Sequence, residues 1–383
     1  MKLIAKTLYG LEKVLAGELN SLGASETEIV NRAVIFKGDK RLLYTVNYCS
    51  RTALSVLEEI ADFRIRSKED LSRAGMRIEW DRIIDPDDTF SIVPVVNSPL
   101  FNHTGYAGLV LKDSIADYFR KKTGKRPSVD TVDPRVVINL HISNDRVNVS
   151  VDSSVIPLFK RGYRKEQTSA PLNEVLAAGI LSISGWDART TLTDPMCGSG
   201  TIPIEAGMIA CNIPAGRFRK FFGFQRWKDF DQRLFNEVKE TYDNLVKEPA
   251  VKIFASDISA MALKQAADNI HAAGLSNMIS LKEEDFAKLK KEDDNGMLFL
   301  NPPYGERLLP GDTDVLYGII GTTLKHNFEG NTAWLISSNR ESLKKIGLKP
   351  KVKHILFNGA LECLLLKYEL YQGSRKSLKY TET

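Results

Sequence analysis

The chain has 383 residues, of which 43% are hydrophobic and 26% charged, values typical of folded globular proteins with two or three domains. It contains no run of about 18 apolar residues, and polar residues interrupt its N-terminal apolar segment, so neither a membrane span nor a signal peptide is expected. The four cysteines form no CxxC pair, which argues against a disulfide framework or a zinc site. We therefore expect a cytoplasmic protein without bound metal.

The net charge of +5 comes from the N-terminal part of the chain. Residues 1–165 carry 26 Lys and Arg against 21 Asp and Glu, whereas residues 166–383 carry 27 of each. The excess is densest over residues 120–165. A basic cluster of this kind can bind a polyanion, or it can be a solvated face with no partner, and charge alone does not decide between them.

The first 155 residues alternate short strands and helices, which is typical of small α+β modules. Two further strands joined by a turn at residues 143–145 should form a hairpin. The predicted elements are, in chain order, a strand at 3–8, a helix at 11–23, a strand at 32–38, helices at 39–47 and 70–80, a strand at 90–96, a helix at 109–124, and strands at 136–142 and 146–152.

Beyond residue 170, short apolar strands alternate with longer helices. This pattern predicts a mostly parallel sheet covered by helices on both faces. The last two strands have only a loop between them, so we expect an antiparallel hairpin at one edge. The predicted strands are 190–195, 251–257, 279–285, 297–303, 332–339, 351–359 and 360–370.

A glycine-containing loop follows the first of these strands, in the sequence DPMCGSGT. Gly198 and Gly200 stand where the chain turns into a helix, and such a turn offers free amides to a ligand. Pro203 departs from the GxGxxG dinucleotide fingerprint, which disfavours a nicotinamide-dependent oxidoreductase. A tight turn without a ligand is the alternative interpretation.

Acidic residues end three neighbouring strands, at Asp194, Asp257 and Asp285. Because ligands bind outside the carboxyl ends of parallel strands, these residues are expected to converge on one ligand. A carboxylate at Asp257 suits a ribose diol, and Asp285 suits the amino group of an adenine. Each aspartate could instead only cap the helix that follows it.

The segment NPPY follows the fourth strand. Pro302 and Pro303 fix the backbone there, so that the amide oxygen of Asn301 and a neighbouring carbonyl can accept from one exocyclic amine of a nucleobase. Tyr304 can stack on a flipped base. A rigid turn without chemistry is the alternative.

These motifs resemble the class I S-adenosylmethionine-dependent amino-methyltransferases, and more closely the THUMP-domain branch that contains the RlmL-type 23S ribosomal RNA guanine-N2 methyltransferases. Members of this branch have also been labelled N6-adenine-specific DNA methylases. The resemblance covers nearly the whole chain. The matching segments are GLEKVLAGELNSLGA, RGYRKEQTSAPLNEVLAAGIL, DPMCGSGT, ASDIS, EEDF, NPPYGER and FNGALECLLLKYEL.

The resemblance implies an α/β fold in which a Rossmann-like class I methyltransferase domain, with a seven-stranded sheet and an antiparallel edge hairpin, follows α+β ferredoxin-like and THUMP modules. The implied domains are a ferredoxin-like module at 1–60, a THUMP RNA-binding domain at 61–155, a joining segment at 156–172 and the methyltransferase domain at 173–383.

The resemblance also implies the roles of individual residues toward S-adenosylmethionine and the target base. The methionine end of the cofactor would be held by Asp194, Met196, Gly198 and Gly200, and covered by Ala170, Pro171, Leu172 and Asn173. The ribose would bind Asp257, and the adenine would bind Asp285 and Phe286. The catalytic residues that grip the base would be Asn301, Pro302 and Tyr304.

The implied partner is 23S ribosomal RNA or a large-subunit precursor, with no membrane and no metal involved. The predicted RNA-binding residues are Arg120, Lys121, Lys122, Lys125, Arg126, Arg161, Arg164, Arg217 and Arg219. Aromatic residues between positions 218 and 227 could stack on single-stranded RNA or could form a buried cluster. An N6-adenine methyltransferase acting on DNA or RNA, and a noncatalytic ribosome assembly factor, remain alternatives.

Overall fold

A computed structural model describes residues 1–165, 171–303 and 312–371. Contacts divide the chain into two units. The N-terminal unit comprises Met1–Thr7, Leu15–Leu158 and Lys220–Thr241, and the C-terminal unit comprises Leu8–Val14, Phe159–Arg219 and Tyr242–Thr383. Within the described ranges, no helix is both long and apolar enough to cross a membrane.

Helices and strands occur throughout the described ranges. Those before residue 165 are β1 Lys2–Lys6, α1 Glu12–Ser21, β2 Ser25–Val30, β3 Ala33–Lys37, α2 Lys40–Cys49, β4 Ser55–Arg64, α3 Lys68–Gly75, β5 Thr89–Asn97, α4 Thr104–Thr123, β6 Ser128–Val129, β7 Val136–Ser143 and β8 Arg146–Asp152. Those after residue 171 are α5 Glu174–Ser184, β9 Leu192–Asp194, α6 Thr201–Ala210, α7 Gln232–Asp243, β10 Ile253–Asp257, α8 Ala260–Ala272, β11 Ile279–Glu283, β12 Met297–Leu300, α9 Asp312–Asn327, β13 Thr332–Ser337, α10 Arg340–Leu343, β14 Val352–Asn358 and β15 Leu361–Glu369.

The N-terminal unit is built on one eight-stranded sheet in the order β2-β3-β1-β4-β8-β7-β5-β6. Strand β4 pairs antiparallel with β1 on one side and with β8 on the other. Residues 60 and 61 therefore lie inside a continuous strand, at the position where the sequence suggested a boundary between two modules. The predicted hairpin is present, because β7 and β8 pair antiparallel around Asn144.

Strand β4 was not predicted from the sequence, because Glu58, Glu59 and Asp62 interrupt its apolar pattern. Neighbouring strands supply partners for the second of these acids. The Lys2 ammonium lies 2.9 Å from the Glu59 carboxylate, and the Asn148 amide donates to it at 2.6 Å. These partners let a strand carry acidic side chains that look unfavourable in isolation.

The core of this unit lies between α4 and the sheet. Leu111, Ile115 and Phe119 on the helix are fully buried, together with Ile138 and Leu140 on β7. Spacing of apolar residues in a helix at i, i+4 and i+8 places these three on one face.

Residues 220–241 lie in sequence between β9 and β10 but belong to the N-terminal unit. Phe222 and Phe224 are buried there in an aromatic cluster with Tyr44 and Phe235. The ring centroids of Tyr44 and Phe224 are 4.4 Å apart, and those of Phe224 and Phe235 are 5.0 Å apart. The buried-cluster interpretation is therefore confirmed for Phe222 and Phe224, and the base-stacking alternative is wrong for these two residues, since no face of either ring is open to RNA.

The C-terminal unit is built on a seven-stranded sheet in the order β11-β10-β9-β12-β13-β15-β14. The first five strands are parallel, and β15 runs antiparallel to both β13 and β14. The predicted antiparallel edge hairpin is thus confirmed. This strand order brings the carboxyl ends of β9, β10, β11 and β12 to one edge.

Candidate active site

A cavity of about 400 Å³ opens at the carboxyl ends of the parallel strands in the C-terminal unit. Its volume lies within the usual range for small-molecule sites. Residues from sequence positions far apart form its walls. The predicted site residues that line it are Pro171, Leu172, Asp194, Met196, Gly198, Asp257, Asp285, Phe286 and Asn301.

The loop between β9 and α6 forms one wall of the cavity. The Cys197 N–H donates to the Ser256 carbonyl at 2.9 Å, and the Gly200 N–H donates to the Cys197 carbonyl at 2.8 Å. Gly198 has φ +54°, and a Cβ added there would meet no atom within 4 Å. The backbone at Gly198 therefore faces open space, where a ligand can approach it closely.

Asp257 ends β10 and is held by two backbone amides. The Gly198 N–H donates to its Oδ2 and the Ser259 N–H to its Oδ1, both at 2.9 Å. These bonds fix the carboxylate and join it to the glycine loop. A carboxylate has about four lone-pair positions, so Asp257 retains two acceptor positions for ligand hydroxyls.

Asp194 ends β9 and is 1% exposed. Burial raises the pKa of its carboxyl well above the usual range; the Met196 N–H, which donates at 3.2 Å, opposes the shift, and the nearby charge of Asp257 adds to it. A cation that entered the cavity next to Asp194 would stabilise the charged form of this carboxyl group.

Asp285 follows β11 and caps a short 3₁₀ helix by accepting the Ala287 N–H at 2.9 Å. Phe286, which is 5% exposed, lines the same part of the cavity. The opposite oxygen of Asp285, Oδ2, has no hydrogen-bond partner among the described residues. This end of the cavity therefore combines an acceptor with an aromatic surface, as a nucleobase requires.

Asn301 follows β12 and lines the cavity. Its Oδ1 atom is buried and, within the described ranges, lacks a hydrogen-bond partner. A buried acceptor without a partner is unfavourable by about 1–3 kcal/mol, so a donor group of a ligand that reached this atom would be stabilised by it. Pro303 also lines the cavity, whereas Pro302 is buried beside it.

Some predicted site residues are not part of the cavity wall. Asn173 caps α5, since its side-chain oxygen accepts the Val175 N–H at 2.9 Å and the Leu176 N–H at 3.3 Å. Gly200 and Pro302 are also absent from the lining. Ala170 and Tyr304 lie outside the described residues.

Ten residues that line the cavity were not predicted as site residues from the sequence. They are Pro195, Cys197, Ser199, Thr201, Ile202, Ile258, Glu284, Pro303, Leu316 and Ile319. Ile258 directly follows Asp257 and is 72% exposed despite its apolar side chain. An apolar residue after a strand-terminal acid was a signal that could have indicated it. Leu316 and Ile319 lie on α9 at helical spacing, which is indistinguishable from a core pattern in sequence.

Two of the predicted RNA-binding arginines are buried, and their assignment is wrong. Arg161 is 2% exposed, and its guanidinium lies 3.3 Å from the carboxylate of the fully buried Glu205. The side chain of Arg164 is 8% exposed and is paired with Glu174. Their buried carboxylate partners explain both positions, because a buried guanidinium requires such a partner.

The predicted residues near the end of α4 are exposed, but they differ in their partners. Lys122 lies 2.8 Å from Asp81, Lys125 lies 3.0 Å from Asp87, and Arg120 lies 3.1 Å from Asp117. Lys121 and Arg126 have no carboxylate within 4 Å among the described residues. In the C-terminal unit, Arg217 is exposed and lies 3.7 Å from Asp243, and Arg219 donates to the Lys160 carbonyl at 2.7 Å.

In the described part of the chain, no group of three or more His, Cys, Asp or Glu side chains could hold a metal ion.

Family models match three consecutive parts of the chain. Residues 161–367 match the RMKL-like methyltransferase domain, residues 2–57 the RlmL ferredoxin-like domain, and residues 66–152 the THUMP domain. The chain belongs to the RMKL-like methyltransferase family. The predicted family and fold class are thereby confirmed.

Curated relatives agree with this assignment. The chain is 37% identical over 371 residues to a Synechocystis protein named "Putative RNA methyltransferase", covering 96% of both sequences. It is 36% identical to the ribosomal RNA large subunit methyltransferase K/L of Methylococcus capsulatus and 35% identical to that of Psychromonas ingrahamii. The chain spans about half the length of these two K/L enzymes.

Solved structures share the complete architecture. A crystal structure described as "a putative methyltransferase complexed with SAH" has a TM-score of 0.87 and 28% identity, and the match covers 97% of this chain and 99% of that one. A structure described as "a possible methylase from Clostridium difficile 630" has the same TM-score with 30% identity, and the match covers 98% of this chain and 99% of that one.

Proposed function

We propose that this chain transfers a methyl group from S-adenosylmethionine to an exocyclic amine of an RNA base, with guanine N2 of 23S ribosomal RNA as the substrate. The observation that carries the proposal is the Oδ1 atom of Asn301, which is buried, has no hydrogen-bond partner among the described residues, and belongs to the same cavity as Gly198 and Asp257. One cavity therefore contains both the proposed cofactor site and an acceptor for the amine of the base.

The cavity residues fit the cofactor. Asp257 would accept the two ribose hydroxyls. Asp285 would accept the adenine amino group, with Phe286 against one face of the adenine and Ile258 against the other. Asp194, Met196 and Gly198 would surround the methionine part, beneath Pro171 and Leu172. Asp194 suits this position because its carboxylate is buried without a cationic partner among the described residues, and the cofactor is positively charged.

Bound S-adenosylmethionine supplies a methyl group on a sulfonium, which is already an activated electrophile. The protein therefore needs chiefly to position the amine. Asn301 Oδ1 would accept one N–H of the exocyclic amine. The resemblance assigns the other N–H to the carbonyl of Pro302, a residue next to the cavity lining rather than in it. With both N–H groups held, the nitrogen lone pair is directed away from the ring and toward the cavity. Such a preorganised contact typically contributes about 3–4 kcal/mol to the transition state.

The RNA substrate is supported by the N-terminal modules. The THUMP match at residues 66–152 and the basic residues at the end of α4 are the features that would bind ribosomal RNA. We assign RNA binding to residues 1–60 and 61–155, joining to 156–172 and methyl transfer to 173–383. Two relatives named as large-subunit methyltransferases support 23S ribosomal RNA, and a ribosomal substrate implies that the reaction occurs in the cytoplasm.

The proposal is tested by methyl incorporation followed by nucleoside mass spectrometry. The purified chain is incubated with labelled S-adenosylmethionine and, separately, 23S ribosomal RNA, a large-subunit precursor particle and duplex DNA. We expect N2-methylguanosine in the RNA and no label in the DNA. N6-methyladenosine in either nucleic acid would show that the target base is adenine and not guanine. Cofactor binding without methyl transfer to any of the three substrates would favour a noncatalytic assembly factor.

A further inference from the structure

Arg164 makes contacts that the proposed function does not use. Its Nε donates to Glu174 Oε1 at 2.9 Å, its Nη1 to Ser199 Oγ at 3.0 Å, and its Nη2 to Thr201 Oγ1 at 2.9 Å. Glu174 begins α5, Ser199 belongs to the loop between β9 and α6, and Thr201 begins α6. One guanidinium therefore joins the start of α5 to the end of the glycine loop.

Asn269 on α8 joins the same two parts by a second route. It is fully buried, its Nδ2 donates to the Ser199 carbonyl at 3.1 Å, and its Oδ1 accepts the Lys165 N–H at 3.0 Å. The side chain thus holds a loop carbonyl with one end and the backbone next to Arg164 with the other. Both functional groups of the amide are satisfied, which fixes its orientation.

The parts that these two residues join both border the cavity. Ser199 and Thr201 line it from the glycine loop, and Pro171 and Leu172 line it from the segment that leads into α5. Arg164 connects them, because its guanidinium bonds to Ser199 and Thr201 on one side and to Glu174, two positions after Leu172, on the other. Guanidinium geometry suits this role, since its planar fork addresses several acceptors in fixed directions.

We propose that Arg164 and Asn269 are positioning residues for the cofactor: they fasten the glycine loop to the segment before α5 and so set the width of the cavity at its methionine end. The inference rests on the proposed function, because it concerns the same cavity. Neither residue touches the cofactor in this scheme. Their effect passes through Ser199, Thr201 and the backbone of the loop.

The test uses Arg164→Lys in the full-length protein. A lysine ammonium keeps the charge beside Glu174 but cannot address both hydroxyls as the planar fork does. We expect the dissociation constant for S-adenosylmethionine, measured by calorimetry, to rise about tenfold, as the loss of charge-assisted hydrogen bonds implies. The KM for the cofactor should rise in parallel, with a much smaller change in kcat at saturating cofactor.

Two other variants approach the same contacts from the loop and from α8. Thr201→Val removes one hydroxyl at nearly constant volume, and Asn269→Asp keeps the acceptor for Lys165 but places an oxygen against the Ser199 carbonyl. Both should weaken cofactor binding. Because Arg164 acts through Thr201, the double variant Arg164→Lys/Thr201→Val should bind more tightly than the sum of the two single losses predicts.

Ser337→Ala is the matched control. Ser337 is a fully buried serine of the same unit whose hydroxyl lies 2.6 Å from Tyr317 Oη, and it does not line the cavity. It should lower the melting temperature while leaving cofactor affinity unchanged. If Arg164→Lys and Thr201→Val are folded and bind the cofactor like the wild type, the inference is wrong. If the wild type itself fails to bind S-adenosylmethionine, the proposed function fails first.

Discussion

Two regions of the molecule differ in how their chemistry is distributed along the sequence. The cavity of the C-terminal unit is assembled from Asp194, Asp257, Asp285 and Asn301, which span more than a hundred positions but share one sheet edge. The basic and aromatic residues at 120–126, 161–164 and 217–230 look like continuous patches in sequence. In the structure they are divided among a helix end, buried ion pairs and an aromatic core.

The difference has a topological cause. The carboxyl ends of adjacent parallel strands must meet, so a residue that ends a strand is located once the strand order is known. Charge and aromatic content carry no such constraint. A guanidinium can be exposed or buried against a carboxylate that is distant in sequence, as Arg161 is against Glu205.

The largest expected effect is a loss of stability in the aromatic cluster. Phe224 is fully buried against Tyr44, Phe222 and Phe235, so Phe224→Ala leaves a cavity and should destabilise the protein by about 3–5 kcal/mol. Chemical denaturation measures this change. Phe221→Ala, at a half-buried ring that the Arg226 guanidinium covers at 4.7 Å, should cost much less.

The same variants test whether Phe224 contributes to RNA binding. At protein concentrations where Phe224→Ala remains folded, its affinity for ribosomal RNA should equal that of the wild type. A loss of RNA affinity without a loss of stability would show that Phe224 contacts RNA.

Asn301→Ala is expected to reduce turnover by about 10²–10³-fold, because it removes one preorganised acceptor for the amine. Cofactor affinity should stay unchanged, since Asn301 would contact the base rather than the cofactor. Methyl incorporation and calorimetry measure the two quantities. Asn339, which follows the next strand and caps α10 by accepting the Ser342 N–H at 3.0 Å, provides the control.

Asn339→Ala should cost about 1 kcal/mol of stability, as the loss of a helix cap does, with turnover preserved. Equal turnover of the Asn301→Ala enzyme and the wild type would instead remove Asn301 from the reaction and leave it a structural asparagine like its neighbour.

Asp194→Asn is expected to stabilise the cofactor-free protein and to weaken cofactor binding about tenfold, because it removes the buried negative charge that a cationic ligand would offset. The pKa of Asp194 is raised on folding, mainly by burial. The carboxyl group therefore favours the folded state fully below the unfolded pKa, about 3.9, and this advantage is lost as pH rises through the higher folded pKa.

Thermal melting from acidic to neutral pH, with and without S-adenosylmethionine, checks this expectation. The variant and the wild type should melt alike at the acidic end and diverge as pH increases. A gap between them that shrinks with increasing pH would contradict the assignment of a raised pKa to Asp194.

How well each part of the structure can be predicted from the sequence depends on whether nearby or distant residues along the chain determine it. Strand-terminal residues and the edge hairpin depend on local apolar pattern and on a general topology, so sequence sufficed for Asp257 and for the β14–β15 pairing. Strand β4 depends on Lys2 and Asn148, partners on other strands, to accommodate its glutamate. The linking role that we propose for Arg164 depends on Ser199 and Glu174 meeting in space, which no spacing in the sequence indicates.

The smallest expected effects concern the end of α4. The pKa of Asp81 is lowered to about 2 by hydrogen bonds from Lys122 and from Tyr118, so Lys122 is already engaged. Lys121 and Arg126 are exposed without a carboxylate neighbour in the described ranges, and we expect them to be the residues available to phosphates.

Lys121→Ala and Arg126→Ala should each weaken RNA binding several-fold and reduce the slope of log K against log salt by about one, as the loss of one phosphate contact does. Lys122→Ala should change RNA binding less, because a phosphate contact by Lys122 must replace its bond to Asp81. Salt titrations of the full-length chain on ribosomal RNA separate these cases. Equal slopes for all three variants would mean that the ion pairs at this helix end do not select which cations reach the RNA.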